Sequence, residues 1–491
     1  MLNIQRNIFI ENIIKETQIL TNKSISKIPY KDNISVTKND EVSLIFFDID
    51  RVKNLNFLKK DLIAQNDYSK STILILISKN KFKLNRFEKN LDKLDLNKIV
   101  IVNIFKIGIL KPIDIKREKI FYSYLTIETQ TIIAKIIKNI LSLIYNQDVR
   151  LLLLDLDDTC WNGVIGEDGV NKIFLDEYQK KSLKYINQLV IKTGLLVSFH
   201  SKNNEKIAIK GINKKLSKYK SLVSKSFKYI NWDPKISSVK KITRLVNFSK
   251  KNIVFLDDNI SEIKQINKFL LDQNCFWLKK SYFFYLYIKS LYISNSNKIV
   301  NKNRFIDIKS NIKRDESKSN SGLINYIKTS NLKVEFTFKN INFKRCEEMS
   351  NKTNQFNSNY KRYNLKKLKE LFKSNNNSIV TFSVSDKYSN SGIISLMVIQ
   401  HKKLFHIINE FTISCRALGR GLETFFIKKV IEKFSIKSLQ INYIKTDRNM
   451  PFINTVEKIC LKRDKNNYQI SIQKVKNNIS KYEKFIKTKY N

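Results

Sequence analysis

Short apolar runs alternate with polar, lysine-rich segments through the N-terminal part of the chain. The runs SLIFFDI (43–49), STILILI (71–77) and KIVIVNIF (98–105) have the length of strands that are buried on both faces. A helical pattern at 126–144 follows them and leads into the next unit. This alternation of strands and helices predicts an α/β domain over residues 1–146.

A second unit, predicted over residues 147–293, repeats the alternation. Its three strand candidates are RLLLLDLDDT (150–159), GLLVSFHSKN (194–203) and NIVFLDDN (252–259), and each ends in polar residues. Helical segments between them favour a Rossmann-like, doubly wound parallel sheet. Ligands of such sheets bind beyond the carboxyl ends of the strands, so the polar ends are expected to form a site.

The C-terminal third has a different pattern. A polar stretch predicts a linker over residues 294–329. Over residues 330–491 the apolar runs SGIISLMVIQ (391–400) and LFHIINEFTI (404–413) precede a glycine loop and a helical pattern, which predicts a separate α+β domain.

Charge adds little to this division. The chain of 491 residues carries a formal net charge of +47, but its lysines are spread over every segment together with asparagine and isoleucine. That spread favours compositional drift over nucleic-acid binding, because the chain has no aromatic RNA-binding stripe and no zinc-finger spacing. An acidic protein partner remains an alternative explanation of the charge.

Cellular location is predicted from what the sequence lacks. No apolar run is long enough to span a membrane, and the N-terminus has no signal-peptide core. The five cysteines show no paired spacing, which is typical of a reducing cytoplasm.

Carboxylates at two strand ends indicate a metal site. Asp155 and Asp157 are one residue apart where the first strand of the second unit ends, and Asp257 and Asp258 end another strand. Oxygen ligands with open positions are typical of Mg²⁺, which keeps several waters and bridges to phosphate. The Asp48-Ile-Asp50 sequence repeats the spacing, but no glycine turn follows, and it is interpreted as an ordinary strand end.

Two further side chains fit phosphate chemistry at the same edge. Ser201 follows a strand, and Lys235 lies in the sequence NWDPK. A hydroxyl and an ammonium there would bind phosphate oxygens and neutralise charge during phosphoryl transfer.

The segments DLDDTCWNGVIGEDG (155–169), HSKNN (200–204), DPK (233–235) and FLDDN (255–259) together resemble the FkbH-like branch of the haloacid-dehalogenase (HAD) phosphohydrolases. This resemblance implies that Asp155 is the phosphoryl-accepting nucleophile. It implies that Asp157 is the general acid/base and a metal ligand through its backbone carbonyl. It also implies that Ser201 and Lys235 hold the phosphate, that Asp257 and Asp258 complete the Mg²⁺ site, and that the glycines of 163–169 form a flap turn.

Two C-terminal segments extend the resemblance. TNQFNSNYKRYN (353–364) and EFTISCRALGRGLETFF (410–426) are similar to the part of FkbH-like proteins that resembles GNAT acyltransferases. The R-x-x-G-x-G loop would let backbone N–H groups approach a pyrophosphate or a pantetheine phosphate. Its candidate cofactor-binding residues are Arg416, Gly419, Arg420 and Gly421. The resemblance allows the N-terminal domain to correspond to an SGNH-hydrolase-like region of longer relatives, but the domain lacks a Gly-Asp-Ser block and is assigned no catalysis.

The resemblance implies an enzyme that dephosphorylates a phosphorylated acyl unit, such as the glyceryl group of 1,3-bisphosphoglycerate. The acyl group then passes to the thiol of an acyl carrier protein. The carrier is expected to be a separate protein, because the chain has no Asp-Ser-Leu attachment site. Two alternatives stay open: a HAD phosphatase fused to an acyltransferase for a sugar or amino-acid precursor of a surface polymer, and a non-catalytic scaffold that docks a carrier protein.

Cys160 is a candidate catalytic residue for holding the acyl group as a thioester. Many relatives have cysteine between the two motif aspartates, where this chain has Leu156, and Cys160 is the cysteine nearest the site in sequence. A thiolate near Mg²⁺ and Lys235 would have its charged form favoured. Cys415 is a competing carrier, and a small buried hydrophobe is the alternative explanation of either cysteine.

Overall fold

The computed structural model describes the chain except for residues 1, 9, 22–24, 28–41, 53, 119–122, 247, 298–303, 415 and 416. It divides into two compact units, Met1–Asn303 and Arg304–Asn491. Among the described residues, no helix combines the length and the apolar character needed to cross a membrane.

The first unit contains two parallel sheets of five strands each. The first has the order β2-β1-β3-β4-β5, and its strands are β1 Leu2–Arg6, β2 Ile25–Lys27, β3 Val42–Asp48, β4 Ser71–Ile77 and β5 Ile99–Asn103. The second has the order β10-β9-β6-β7-β8, and its strands are β6 Leu151–Leu154, β7 Leu196–Ser201, β8 Ser226–Ile230, β9 Ile253–Asp257 and β10 Cys275–Trp277. The predicted α/β class and the strands proposed from apolar runs are confirmed.

Among the described residues, helices form the crossovers that parallel strands need, and the connection from β2 to β3 lies outside the described residues. The helices are α1 Glu11–Thr21, α2 Leu55–Tyr68, α3 Lys81–Leu91, α4 Ile127–Tyr145, α5 Ile165–Lys172, α6 Glu177–Thr193, α7 Glu205–Lys215, α8 Lys220–Ser224, α9 Lys235–Val246, α10 Ile260–Asn267 and α11 Ser281–Asn295.

Helix α11 packs against both sheets. Ten consecutive positions over 282–291 are buried, which is typical of a helix enclosed on all sides. The Tyr282 hydroxyl donates to the Ile101 carbonyl (3.1 Å) and accepts from the Asn103 N–H (2.8 Å), so α11 is fixed to the end of β5. One hydrophobic core extends from Leu2 to Leu291. The two sheets predicted as separate domains therefore share a core in one unit.

The second unit is built on an eight-stranded mixed sheet of order β16-β17-β15-β14-β13-β12-β11-β18. Its strands are β11 Lys333–Thr337, β12 Asn377–Ser385, β13 Asn390–His401, β14 His406–Ile413, β15 Leu439–Asn442, β16 Cys460–Arg463, β17 Asn467–Ile470 and β18 Lys487–Tyr490. Its helices are α12 Arg304–Thr329, α13 Phe343–Lys352, α14 Leu365–Lys373, α15 Glu423–Lys433, α16 Met450–Glu457 and α17 Ile472–Ile479. Antiparallel pairing dominates, and the predicted α+β class is confirmed.

Helix α12 lies where the sequence predicts a linker, so the linker over 294–329 is corrected for residues 304–329. The helix is interrupted at Gly322, whose φ is 77°. Its polar sequence conceals buried positions, above all Arg314, whose guanidinium binds both oxygens of the buried Asp386 carboxylate at 2.6 and 2.8 Å. A polar composition alone does not reveal such a buried ion pair.

The segment 353–364 fills a gap in this sheet. Strands β14 and β15 pair in parallel only as far as Ile408 and Ile441. Beyond that point the backbone of Ser358 takes over: its N–H donates to the Phe411 carbonyl (3.0 Å), and its carbonyl accepts from the Ile444 N–H (2.8 Å). The segment flagged by the family resemblance is therefore part of the sheet.

Glu410 of β14 is the buried acid beside this segment. Burial raises the pKa of its carboxyl to about 7, against the opposing effects of Ser350 and Arg362. Because the pKa of this carboxyl is higher in the folded than in the unfolded state, protonation of Glu410 stabilises the folded protein. This contribution is complete below about pH 4.5 and is lost as pH rises through 7.

Replacing this carboxyl by an amide should therefore stabilise the protein at neutral pH. We expect Glu410→Gln to raise the free energy of unfolding by about 2 to 3 kcal/mol at pH 8, and by much less at pH 4.5, because glutamine cannot ionise. Denaturant unfolding at the two pH values measures this, with Glu316→Gln, an exposed position on α12, as control. An equal effect at both pH values would contradict the buried-charge explanation.

Candidate active site

Three neighbouring strands of the second sheet end at the candidate site. Asp155 directly follows β6, and its N–H donates to the Leu256 carbonyl of β9 (3.1 Å). Asp257 ends β9 and Ser201 ends β7, on either side of β6. All three side chains are buried. The carboxyl ends of adjacent parallel strands thus bring these groups together, as the sequence predicts.

Lys235 links two of the carboxylates. It is the first residue of α9, and its Nζ lies 2.6 Å from Asp155 Oδ1 and 2.7 Å from Asp257 Oδ2. Burial acts to lower the pKa of this ammonium, but the two carboxylates outweigh burial and the pKa is raised. Lys235 is therefore a permanent positive charge between Asp155 and Asp257.

A metal could bind beside this lysine. In the described part of the chain, one group of acidic side chains could hold an ion: Asp155, Asp257 and Asp258, whose ligand oxygens lie within 4.8 Å of one another. Three carboxylates and one ammonium leave two negative charges, which a divalent cation would balance. An all-oxygen donor set suits Mg²⁺, which completes its coordination with water, and the predicted cofactor fits these residues.

Titration of these carboxyls reflects the same excess of negative charge. Burial raises the pKa of Asp155 to about 7, and the Asp257 carboxylate adds to the effect. Burial likewise raises the pKa of Asp258 to about 7, and Asp155 adds to it. A bound cation would remove this penalty, because it favours the charged form of each ligand.

The Asp157 side chain lies outside the acidic group and faces the segment that follows it. Its Oδ1 accepts from Trp161 Nε1 (2.8 Å) and from the Ile165 N–H (3.1 Å). Its Oδ2 accepts from Asn203 Nδ2 (2.6 Å). Metal ligation by the Asp157 backbone carbonyl stays a prediction.

The predicted flap turn over 163–169 is corrected, because most of it is helix α5. Gly163 is the position in this segment that requires glycine: its φ is 97°, and a Cβ there would lie 2.7 Å from Asp168 Oδ2. Asp158, also with a positive φ of 47°, accepts from the Gly163 N–H at 2.8 Å. Glycine at 163 is thus required by the turn, whereas Gly166 lies within the helix.

Sequence reasoning overlooked Asn203, which is buried two residues after Ser201. Its Nδ2 donates to Ser201 Oγ (2.9 Å) as well as to Asp157 Oδ2. A polar residue just beyond a strand end, in HSKNN, was the available signal. His200, the residue before Ser201, is buried and neutral, because burial and the Lys235 charge lower its pKa to about 3.

The structure contradicts the hypothesis that Cys160 carries an acyl group. Its side chain has no exposed surface, and its Sγ donates to the Asp155 backbone carbonyl at 3.1 Å. Burial, together with Asp155 and Asp157, raises the thiol pKa well above its usual range. A nucleophile needs the opposite shift and an open approach. Cys160 is a packed residue that supports the turn after β6.

Other residues of the protein contact the backbone and side chains of the C-terminal glycine loop. The Gly419 N–H donates to Glu423 Oε1 at 2.7 Å, and a Cβ on Gly421 would lie 3.2 Å from the Ile327 side chain of α12. Arg420 is buried, with Nη2 3.0 Å from Ser391 Oγ, which disagrees with its assignment as a cofactor-binding residue. Arg416 and Cys415 lie outside the described residues. Cofactor binding by Gly419 and Gly421 stays a prediction.

Comparison with known proteins yields only distant likenesses. No family model and no curated protein matches the sequence. Among solved structures, the N-terminal part of BF1531 from Bacteroides fragilis, which contains a phosphatase domain complexed with Mg, is 17% identical, with a TM-score of 0.37 over 61% of this chain and 94% of that one.

Two further structures are similar over parts of the chain. A protein described as a 3-deoxy-D-manno-octulosonate 8-phosphate phosphatase from Vibrio cholerae is 12% identical, with a TM-score of 0.24 over 32% of this chain and 92% of that one. A glucosamine N-acetyltransferase region of a fungal β-N-acetylglucosaminidase is 10% identical, with a TM-score of 0.19 over 90% of this chain and 49% of that one. These scores are low, and the interpretation of the site depends on its own residues.

Removal of one metal carboxylate should weaken Mg²⁺ binding without unfolding the protein. We expect Asp258→Asn to lower Mg²⁺ affinity at least about tenfold, because one of the three carboxylates that could hold the ion loses its charge. Isothermal titration with Mg²⁺ at pH 8 measures the affinity. Asp233→Asn, an exposed carboxylate in the NWDPK loop, is the control and should bind as the wild type does. Equal affinity in both variants would exclude Asp258 from the metal site.

Proposed function

We propose that the first unit is a Mg²⁺-dependent phosphohydrolase of the HAD type, with Asp155 as the nucleophile. The observation that carries this proposal is the convergence of Asp155, Asp257 and Lys235, with both carboxylates within 2.7 Å of one ammonium. A buried carboxylate held by a lysine beside a cation site has the groups that phosphoryl transfer requires. The resemblance of the four sequence segments to FkbH-like HAD proteins supports the same conclusion.

The proposed reaction has two steps. In the first, an Asp155 oxygen forms a bond to phosphorus, the bond from phosphorus to the leaving oxygen breaks, and that oxygen takes a proton from Asp157. In the second, Asp157 takes a proton from water as the water oxygen attacks the aspartyl phosphate, which releases inorganic phosphate and frees Asp155. Lys235 and Ser201 would hold the phosphate oxygens. Bound Mg²⁺ would supply charge neutralisation of the phosphoryl group.

For the whole chain we propose that a phosphate ester on a phosphorylated acyl unit is hydrolysed while its acyl phosphate is kept, and that the acyl group is then delivered to an acyl carrier protein in trans. In the delivery step the carrier sulfur forms a bond to the acyl carbon, the bond from that carbon to the phosphate oxygen breaks, and inorganic phosphate leaves with the thiol proton. This finer proposal depends on the resemblance of 353–364 and 410–426 to the GNAT-like part of FkbH-like proteins. The glyceryl group of 1,3-bisphosphoglycerate is the acyl unit that the resemblance implies. Because Cys160 is closed to an acyl donor, we propose direct transfer to the carrier thiol, with no thioester on that cysteine.

A phosphatase fused to an acyltransferase for a sugar or amino-acid precursor is the second candidate. It uses the same phosphate site and differs in the acceptor. The non-catalytic scaffold is disfavoured, because burying Asp155, Asp257 and Lys235 together beside the half-buried Asp258 costs stability, and such a costly charge cluster is typical of a functional site.

The nucleophile assignment predicts a large and specific loss of activity. Asp155→Asn should lower phosphate release more than about 10³-fold, because the amide cannot accept the phosphoryl group. A matched control is Asp50→Asn in Asp48-Ile-Asp50, the motif of like spacing at the end of β3. That variant should keep wild-type turnover. Release of inorganic phosphate from acetyl phosphate with Mg²⁺ measures both, and substantial turnover by Asp155→Asn would contradict the covalent route.

The transferase half predicts a separation of the two activities. Gly419 has a φ of 72° and Gly392 a φ of 61°, so alanine strains both similarly. If the 419–421 loop admits a pantetheine phosphate, Gly419→Ala should slow acyl loading of a carrier protein at least about tenfold while phosphate release is unchanged. Gly392→Ala should alter neither rate.

Intact-mass analysis of the carrier, alongside a phosphate assay, measures both reactions. Equal rates of carrier-protein loading by the two glycine variants would contradict a role of the 419–421 loop in acyl transfer.

A further inference from the structure

Two side chains outside the proposed reacting groups hold the Asp157 carboxylate. Both of its oxygens are engaged: Oδ1 by Trp161 Nε1 and the Ile165 N–H, and Oδ2 by Asn203 Nδ2. The three donors come from three places: the turn after β6, the first residue of α5 and the loop after β7. A carboxylate bound from three directions has little rotational freedom.

The contact to α5 serves the helix as well. The N-cap residue of α5 is Val164, whose apolar side chain cannot accept a hydrogen bond from the first turn of the helix. Asp157 Oδ1 accepts from the Ile165 N–H in its place. The indole of Trp161 is fully buried, and its N–H reaches the same oxygen. Asp157 is thus fixed to the start of α5 and to the turn that precedes it.

The contact to Asn203 connects Asp157 with the phosphate-binding strand end. The Asn203 amide nitrogen is 2.6 Å from Asp157 Oδ2 and 2.9 Å from Ser201 Oγ. Asn203 is itself buried, whereas Asp157 is half-buried, so the bridge is partly shielded from solvent. One amide therefore sets the separation between the carboxyl that handles the proton and the hydroxyl that would hold the phosphate.

We infer that Trp161 and Asn203 are positioning residues that orient Asp157 for proton transfer to the leaving oxygen. The inference rests on the proposed function, because it assigns Asp157 the proton. The hydrogen bonds that these two side chains donate go to Asp157 and, from Asn203, also to Ser201. Their contribution is geometric: a general acid acts only when its proton lies within hydrogen-bond reach of the leaving oxygen.

The effect of each variant on substrates with different leaving groups distinguishes a role in positioning Asp157 from a merely structural role. An alkyl phosphate expels a strongly basic alkoxide, which needs the proton as the bond to phosphorus breaks. A p-nitrophenyl phosphate expels a stable phenolate, which needs little protonation. Misplacing Asp157 should therefore impair hydrolysis of the alkyl ester selectively, whereas damage to the fold or to the cation site should impair both esters alike.

The variants are Asn203→Ala and Trp161→Phe; the second keeps an aromatic ring and removes the N–H donor. Asn204→Ala is the matched control: Asn204 is the neighbouring asparagine, and its side chain caps α7 without reaching Asp157. The values of kcat and KM are measured for glycerol 3-phosphate and p-nitrophenyl phosphate with saturating Mg²⁺, and thermal unfolding confirms that each variant is folded.

We expect each positioning variant to lower kcat for glycerol 3-phosphate about 10²-fold with little change in KM, and to lower kcat for p-nitrophenyl phosphate less than about fivefold. Asn204→Ala should lose nothing on either ester. Equal losses on both esters, or no loss on the alkyl ester, would overturn the inference while leaving the phosphohydrolase intact. A wild-type protein that hydrolyses neither ester with Mg²⁺ would instead overturn the proposed function itself.

Discussion

The arrangement of the site depends on one buried ammonium. Lys235 lies between Asp155 and Asp257, which would otherwise repel each other at the carboxyl ends of adjacent strands. Like charges in a buried site raise each other's pKa, and one positive charge offsets only part of that effect. The remaining negative charge, shared with Asp258, makes the site receptive to a divalent cation. The first residue of α9, Lys235, thus determines both how Asp155 is held and how much negative charge is left for a cation to balance.

Much of this site is predictable from sequence, because it follows from where strands end. Asp155, Ser201 and Asp257 each sit at the end of an apolar run, and parallel neighbours must bring such residues to one edge. Lys235 and Asp258 follow from the spacing of polar residues in NWDPK and FLDDN. The structure places these five as expected, with Ser201 tied to the others through Asn203 and Asp157.

The errors have a common physical origin, because they concern contacts that local patterns do not encode. Whether a thiol faces a cation or a backbone carbonyl depends on the path of the turn after β6, and Cys160 faces the carbonyl. The buried partner of Arg314 is 72 residues away, so the polar sequence of α12 suggested a linker. Arg420 likewise enters the interior of the second unit. Asn203 was missed because asparagine beyond a strand end is common in ordinary loops.

The central claim is that Asp155 becomes covalently phosphorylated in a reaction that needs Mg²⁺. The most direct measurement is acid quenching after mixing the protein with acetyl phosphate, followed by borohydride reduction and peptide mass mapping, with and without Mg²⁺. The account predicts that the peptide containing Asp155 carries the reduced aspartyl phosphate, a homoserine at that position, only when Mg²⁺ is present. Modification at another carboxylate, or phosphate release with no modified Asp155, would contradict it.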